Sequence, residues 1–319
     1  SLSDSPLVCE TETQHGNWRR WLLLIGLVYL MLLAVSMIGS GFKLAAGDQA
    51  KTLFTFASNP IMGLIIGMVA TALIQSSSTV TSIIVGMVAG GLPITIAVPM
   101  MMGANIGTSI TNTLVSLGHV ARKDEFQRAF NAATIHDFFN VMSVFIFLPL
   151  EMAFGILEHT SAFVVSMLNA GGTMGVDGFN PIKALTQPAL NIVTGMVSGL
   201  PSVYPGIAKI ILGIGLIVTS ITYMGKIMKS LMVGKAKDIL HKSIGKGPIS
   251  GISSGALMTV LVQSSSTTTS LVVPLVGSGI LKAKDIYPFT LGANIGTCIT
   301  ALIAALGVVG VNGWMVWRE

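Results

Sequence analysis

Charge is what this sequence has least of. Only 18 Lys and Arg and 13 Asp and Glu occur in 319 residues, whereas an ordinary globular domain devotes about a quarter of its chain to charge. So few charges do not cover the surface of a soluble fold of this length. Their placement says more than their number. No Asp, Glu, Lys or Arg falls from Thr52 to Ala121, from Gly247 to Leu281, or from Ile286 to Trp317. Uncharged apolar runs longer than about 18 residues read as membrane spans. A cytosolic enzyme, a disordered chain and a nucleic-acid binder are thereby excluded. Cysteine is scarce as well. Cys9 lies in the polar head and Cys298 inside an apolar run, so no disulfide is expected between them. The fold class that remains is an all-α polytopic membrane protein.

Residues 1–17 are polar and read as a cytoplasmic tail. Trp21 to Ile38 carries no charge and follows Arg19 and Arg20. It exceeds a secretory h-region and lacks an A-x-A site, so it reads as a first span rather than a signal peptide. Two apolar limbs, 59–74 and 79–91, meet at Gln75-Ser76-Ser77-Ser78, and Ile94 to Leu117 reads as one complete span. A basic loop with Arg122, Lys123 and Arg128 leads into an apolar run from about Ala129 to Phe154. Residues 157–203 are punctuated by Gly and Pro and read as an external connection with partial helix. Ile207 to Met228 is another span, two more limbs meet at Gln263-Ser264-Ser265-Ser266, and Ile286 to Val311 is the last span. The expected division is therefore a transmembrane repeat at 18–156, the connection at 157–203, and a second repeat at 204–319.

The repetition is explicit. Residues 59–91 laid on 247–279 give 16 identities in 33 positions without a gap, and Gly103-Ala-Asn-Ile-Gly-Thr108 equals Gly292-Ala-Asn-Ile-Gly-Thr297. This marks a duplicated unit. Each hairpin crosses the membrane an even number of times, while 21–38, 94–117 and 129–154 each count as one crossing. Three crossings turn the second copy upside down, the inverted-repeat plan of many secondary transporters. The loop charges agree. With the N-terminus cytoplasmic, 13 of the 18 basic residues fall inside, as the positive-inside rule requires. The expected location is the plasma (inner) membrane, crossed many times.

The duplicated motif carries the chemistry. Ser and Thr offer the backbone alternative hydrogen bonds and favour helix ends. Non-helical backbone at membrane depth is tolerated only where protein or a water-filled cavity satisfies it. Each Gln-Ser-Ser-Ser therefore reads as the tip of a broken helix or re-entrant hairpin, the two tips approaching one another near the midplane. The limb after each break offers free N–H groups and the positive end of its dipole, a nest for an anion. Neither hairpin contains Lys or Arg, and burying a bare ion costs several kcal/mol even after relaxation. A co-transported cation is the economical compensation, with amide, hydroxyl and unwound carbonyl oxygens as its hard ligands. The residues themselves lead to cation-coupled anion uptake, without naming the anion.

Gln75-Ser-Ser-Ser-Thr-Val-Thr-Ser82 and Gln263-Ser-Ser-Ser-Thr-Thr-Thr-Ser270, each followed by Gly-Ala-Asn-Ile-Gly-Thr, resemble the type II sodium–phosphate cotransporters. Gly41-Phe42-Lys43-Leu44, Ser58-Asn59-Pro60 and Ala133-Thr-Ile-His-Asp-Phe-Phe-Asn140 extend the likeness over residues 18–310. The resemblance implies sodium-driven import of inorganic phosphate by alternating access, with both hairpins lining a central site. It implies phosphate contacts from Gln75, Ser76, Ser77, Ser78, Gln263, Ser264, Ser265 and Ser266. Gln75, Thr79, Asn105, Gln263, Thr267 and Asn294 are the candidate sodium ligands. Sodium is co-transported and no organic cofactor is expected. The partners are inorganic phosphate, Na+ and the bilayer, and self-association as a homo-oligomer is compatible with the pattern.

The same residues admit other readings. A single serine run would read as helix-packing glue, but two inverted copies with matching glutamines do not. The Gly63/Gly67 and Gly251/Gly255 pairs read as packing. His136, Asp137 and Asn140, within an apolar span, are open to either a functional or an interhelical role. Asp48 reads as surface. An intramembrane serine hydrolase built on Ser264 or Ser76 with His136 lacks a G-x-S-x-G context and leaves the duplication unexplained. A sodium-coupled carrier of another small anionic solute, dicarboxylate-like, remains the alternative.

Overall fold

The computed structural model describes residues 10–46, 59–118, 120–170, 181–201, 204–243 and 247–312. The described residues are helical, and the helices are set by apolar content and punctuation. α1 (Glu10–Ala46) already begins within the segment expected as a tail, while Cys9 and Asp48 lie outside the described residues. The first hairpin is α2 (Pro60–Ile74) and α3 (Ser77–Ala89). α2 starts at Pro60, whose missing N–H costs nothing at a first turn, and the Asn59 side chain caps it by accepting from the Ile61 N–H.

Ile94 to Leu117, expected as one complete span, is long and apolar enough to be one. It is divided at Thr108, which keeps helical dihedrals (φ −60°, ψ −30°), into α4 (Ile94–Gly107) and α5 (Ser109–Leu117). α6 (Lys123–Phe154) follows, starting in the basic loop rather than at Ala129. It buries one stripe, Ala129, Ala132, Ala133, His136, Asn140, Val144 and Leu148, the three-to-four spacing of an amphipathic helix. Gly155 at φ 57° ends it.

Residues 157–203, expected as a connection with partial helix, are helical over two stretches. They carry α7 (Ile156–Ala170) and α8 (Pro181–Val197). α8 docks on the bundle because Leu190 packs with Leu33 and Met37 of α1, and the Tyr29 hydroxyl donates to the Leu185 carbonyl at 3.1 Å. α9 (Tyr204–Ser243), α10 (Pro248–Val262), α11 (Ser265–Gly277) and α12 (Ala283–Asn312) complete the chain.

Among the described residues five segments are long and apolar enough to cross a membrane: Trp18–Ala45, Ile94–Leu117, Lys123–Phe154, Tyr204–Met228 and Ala283–Leu306. The limbs of the hairpins are not. Fifteen residues in α2 and in α10 rise only about 22 Å at 1.5 Å per residue, short of a hydrocarbon core of about 30 Å.

Glycines fix how the helices pack. α1 and α9 run antiparallel, with Gly41 beside Gly206 and Lys209, and Gly213 beside Ala34 and Ile38. α2 and α4 run parallel and in contact. A Cβ on Gly67 would lie 1.9 Å from the Met100 carbonyl oxygen, and one on Gly103 would lie 1.9 Å from that of Leu64. α10 and α12 repeat the arrangement, with Gly255 2.0 Å from the Phe289 oxygen and Gly292 2.0 Å from that of Ile252 by the same measure. Small residues let membrane helices approach this closely.

Candidate functional site

The two Gln-Ser-Ser-Ser segments fold alike. Gln75 and Gln263 adopt the left-handed conformation at φ 59° and 56°, and no other non-glycine residue among those described has positive φ. Each glutamine N–H returns to a threonine carbonyl four residues earlier, Thr71 or Thr259, at 2.7 Å. That is the αL cap of a helix C-terminus, normally a glycine position, and a side chain there costs about 1–2 kcal/mol. Ser76 and Ser264 follow in extended conformation as N-caps. The Ser76 Oγ accepts from the Thr79 N–H at 3.3 Å, and the Ser264 Oγ from the Thr267 N–H at 3.2 Å. Two residues thus end one helix and start the next. The first-turn amides of Ser77 and Ser78, and of Ser265 and Ser266, have no acceptor within their own helices.

These tips are buried and uncharged. Ser77, Ser78 and Thr79 are each 2% exposed, and Ser265 and Ser266 are 3% and 4%. The copies differ at their glutamines. Gln75 is exposed, whereas Gln263 is buried and its Oε1 accepts from the Thr300 hydroxyl at 3.1 Å. The Gln263 side-chain N–H reaches the Val260 carbonyl at 2.5 Å, and that of Gln75 reaches the Ala72 carbonyl.

α3 and α11 do not form an interface with each other. α3 packs on α1 and α12, and α11 packs on α5 and α6. Each hairpin thus touches the opposite half as well as its own, beside the helix that carries, or follows from, the other Gly-Ala-Asn-Ile-Gly-Thr motif. Specific bonds tie α11 there. The hydroxyls of Thr269 and Ser270 donate to Asn112 Oδ1 of α5 at 2.8 and 3.2 Å. The Arg128 Nε–H donates to the Gly277 carbonyl at the end of α11, at 2.9 Å.

Of the candidate sodium ligands, Asn294 sits in a relay that crosses the halves. With the proton on His136 Nε2, that nitrogen donates to Asn294 Oδ1 at 2.8 Å. The Asn294 amide donates to Asn140 Oδ1 at 2.8 Å, and the Asn140 amide to the Asn105 carbonyl at 3.2 Å. Asn105 thus joins through its backbone, while its side chain is exposed. Thr79 is buried and its hydroxyl donates to Ser76 Oγ at 2.9 Å; Thr267 is half-buried. Asp137 turns toward α5, where the Thr113 hydroxyl donates to it at 3.3 Å. Asn112 and Thr300 did not stand out in the sequence, because a single Asn or Thr in an apolar run resembles ordinary helix-packing polarity. Among the described residues no group of three or more His, Cys, Asp or Glu is placed to hold a metal ion.

Comparison with known proteins decides the family. Residues 30–167 and 216–316 match the Na+/Pi-cotransporter family. The chain belongs to that family. It is 34% identical over 355 residues to sodium-dependent phosphate transport protein 2A of Rattus norvegicus, covering 89% of this chain and 55% of the relative. To sodium-dependent phosphate transport protein 2B of Homo sapiens it is 31% identical over 381 residues, covering 91% of this chain and 55% of the relative. The chain thus spans about half the length of the curated relatives it matches. No solved structure matches it. The family is one of transporters, and the chain is accordingly not an enzyme.

Proposed function

We propose that this family member is a secondary active transporter that imports inorganic phosphate with sodium, by alternating access around a central site between its two Gln-Ser-Ser-Ser hairpins. The observation that carries the reading is the pair of matched, buried, uncharged helix N-termini, each reached through a glutamine in the left-handed conformation. Two such N-termini offer a phosphate oxyanion backbone N–H groups, serine hydroxyls and positive dipole ends. Strained residues persist where the structure over-determines them, and their clustering points to function. Sodium supplies the positive charge that the hairpins lack. The curated relatives are named for sodium-dependent phosphate transport.

Gln75, Ser76, Ser77 and Ser78 of one hairpin and Gln263, Ser264, Ser265 and Ser266 of the other contact phosphate. Gln75, Thr79, Asn105, Gln263, Thr267 and Asn294 supply sodium with oxygen. The antiparallel packing of α1 on α9 supports the inverted relation of repeats 18–156 and 204–319. An N-terminus on the cytoplasmic side of the plasma membrane fits the basic loops. One exposed and one buried glutamine fit a cycle in which the two tips meet water in turn.

Uptake by Gln263→Ala and Ser264→Ala variants tests the site. Both are expected to insert into the membrane and lose transport; wild-type uptake by both overturns the assignment.

A further inference from the structure

An open cleft of about 790 Å³ lies between α6 and the start of α12, and no residue of either Gln-Ser-Ser-Ser segment lines it. Its lining divides along the helix axis. Asn131, Thr134 and Lys284 stand at the end where α12 begins, and Phe138, Phe139, Met142 and Tyr287 continue it. From Asn131 to Met142 the α6 wall rises about 16 Å, a large part of the thickness of one leaflet. Phe138 is 71% exposed, while Phe139 and Tyr287 meet edge to face with ring centroids 6.4 Å apart and form the floor. α6 packs its buried stripe on α5 and α11, and α12 supplies the other wall of the cleft.

The charge at the polar end is unbalanced. Arg122 is paired with Glu125 at 2.8 Å, and Arg128 is held by the Gly277 carbonyl. Asp285 folds back on its own chain, accepting from the Lys282 N–H at 3.3 Å. Lys284 lines the cleft, exposed, and makes no ion pair among the described residues. The first turn of α12, from Ala283, adds unpaired N–H groups and the positive dipole end beside it. A cation and helix N-terminus at one end of an aromatic trough complement an anionic headgroup with its acyl chain.

We infer that this cleft is a binding site for an anionic phospholipid, its phosphate at Lys284 and the start of α12 and its chain along Phe138, Phe139 and Met142. Arg122, Lys123, Arg128 and Lys282 share that end of the molecule, so the lipid belongs to the leaflet on the positive, cytoplasmic side. A second copy related by a two-fold axis would instead set Lys284 against Lys284. The inference does not depend on what the protein transports.

Native mass spectrometry of the detergent-purified chain, mixed with phosphatidylglycerol or phosphatidylcholine, tests it. One phosphatidylglycerol is expected to be retained in preference to phosphatidylcholine. Lys284→Glu should reduce that retention at least tenfold, and Lys284→Arg should keep it. Lys226→Glu, which removes a cation lying over the Tyr223 ring, should leave it unchanged. An unshifted size-exclusion profile for Lys284→Glu excludes misfolding as the cause. Equal retention of the two lipids, or undiminished retention by Lys284→Glu, overturns the site. So does efficient disulfide crosslinking of Phe138→Cys between copies in the membrane, which would put a second chain in the cleft.

Discussion

His136 Nε2 and Asn294 Oδ1 lie 2.8 Å apart, joining residues 158 positions distant in the chain. The contact ties α6 of the first half to the duplicated Asn of the second, and Asn140 continues it to the Asn105 carbonyl. His136 is only 1% exposed and Asn140 4%. Deleting one member strands the others in a medium without water. His136→Ala is expected to destabilise the protein by about 2 kcal/mol, the cost of an unsatisfied buried polar group. Thermal unfolding in detergent checks this, and an unchanged midpoint contradicts the relay.

Gln75→Gly separates stability from function. Glycine adopts φ 59° without strain, so the variant should fold at least as stably as the parent, gaining up to about 1 kcal/mol. Its phosphate uptake should nevertheless fall severely, because the side chain is lost from the tip. Uptake at the parental rate would show that the glutamine serves only the turn.

Gly67→Ala and Gly255→Ala act on packing. A methyl at either position would sit 1.9 or 2.0 Å from a carbonyl oxygen of the facing helix, which only helix displacement relieves. Such overpacking costs about 1–3 kcal/mol or more. Both variants are expected to show a lowered unfolding temperature and a reduced yield of monodisperse protein, whereas Gly215→Ala, with open space around it, should behave as the parent.

Thr71 and Thr259 occupy equivalent places four residues before each glutamine. Both are at most 1% exposed, and both hydroxyls lack a hydrogen-bond partner. Valine has nearly the same shape without the orphan oxygen. Thr71→Val and Thr259→Val should therefore raise stability by about 1 kcal/mol each, as read from thermal unfolding in detergent. Lower stability in both would show that the hydroxyls are satisfied.

The hairpins were legible because the chain states them twice. Two Gln-Ser-Ser-Ser blocks in uncharged runs imply the same break, and Gln75 and Gln263 prove nearly superposable in φ. The interruption of the hydrogen-bond ladder at Thr108, where the dihedrals stay helical, was not legible. Gly103 to Thr108 is identical in sequence to Gly292 to Thr297, yet α12 runs straight through its copy. The copies diverge at the next residue, Ser109 standing in place of Cys298, and Asn112, in place of Ala301, bonds across to Thr269 and Ser270. A local motif cannot express that long-range bond. The relay stayed hidden for the same reason, since His136 and Asn140 meet Asn294 only once both halves have folded. The partial helix expected in 157–203 had no bounds, because Pro188 interrupts the pattern of the amphipathic face that Leu190 buries.

Accumulation of labelled phosphate in proteoliposomes containing the purified chain, under an inward sodium gradient, is the most direct measurement. Uptake above the equilibrium level that collapses when potassium replaces sodium, and that excess unlabelled dicarboxylate does not compete away, is the expected result. Equal accumulation in potassium, or none in either salt from folded protein, contradicts sodium-coupled phosphate transport.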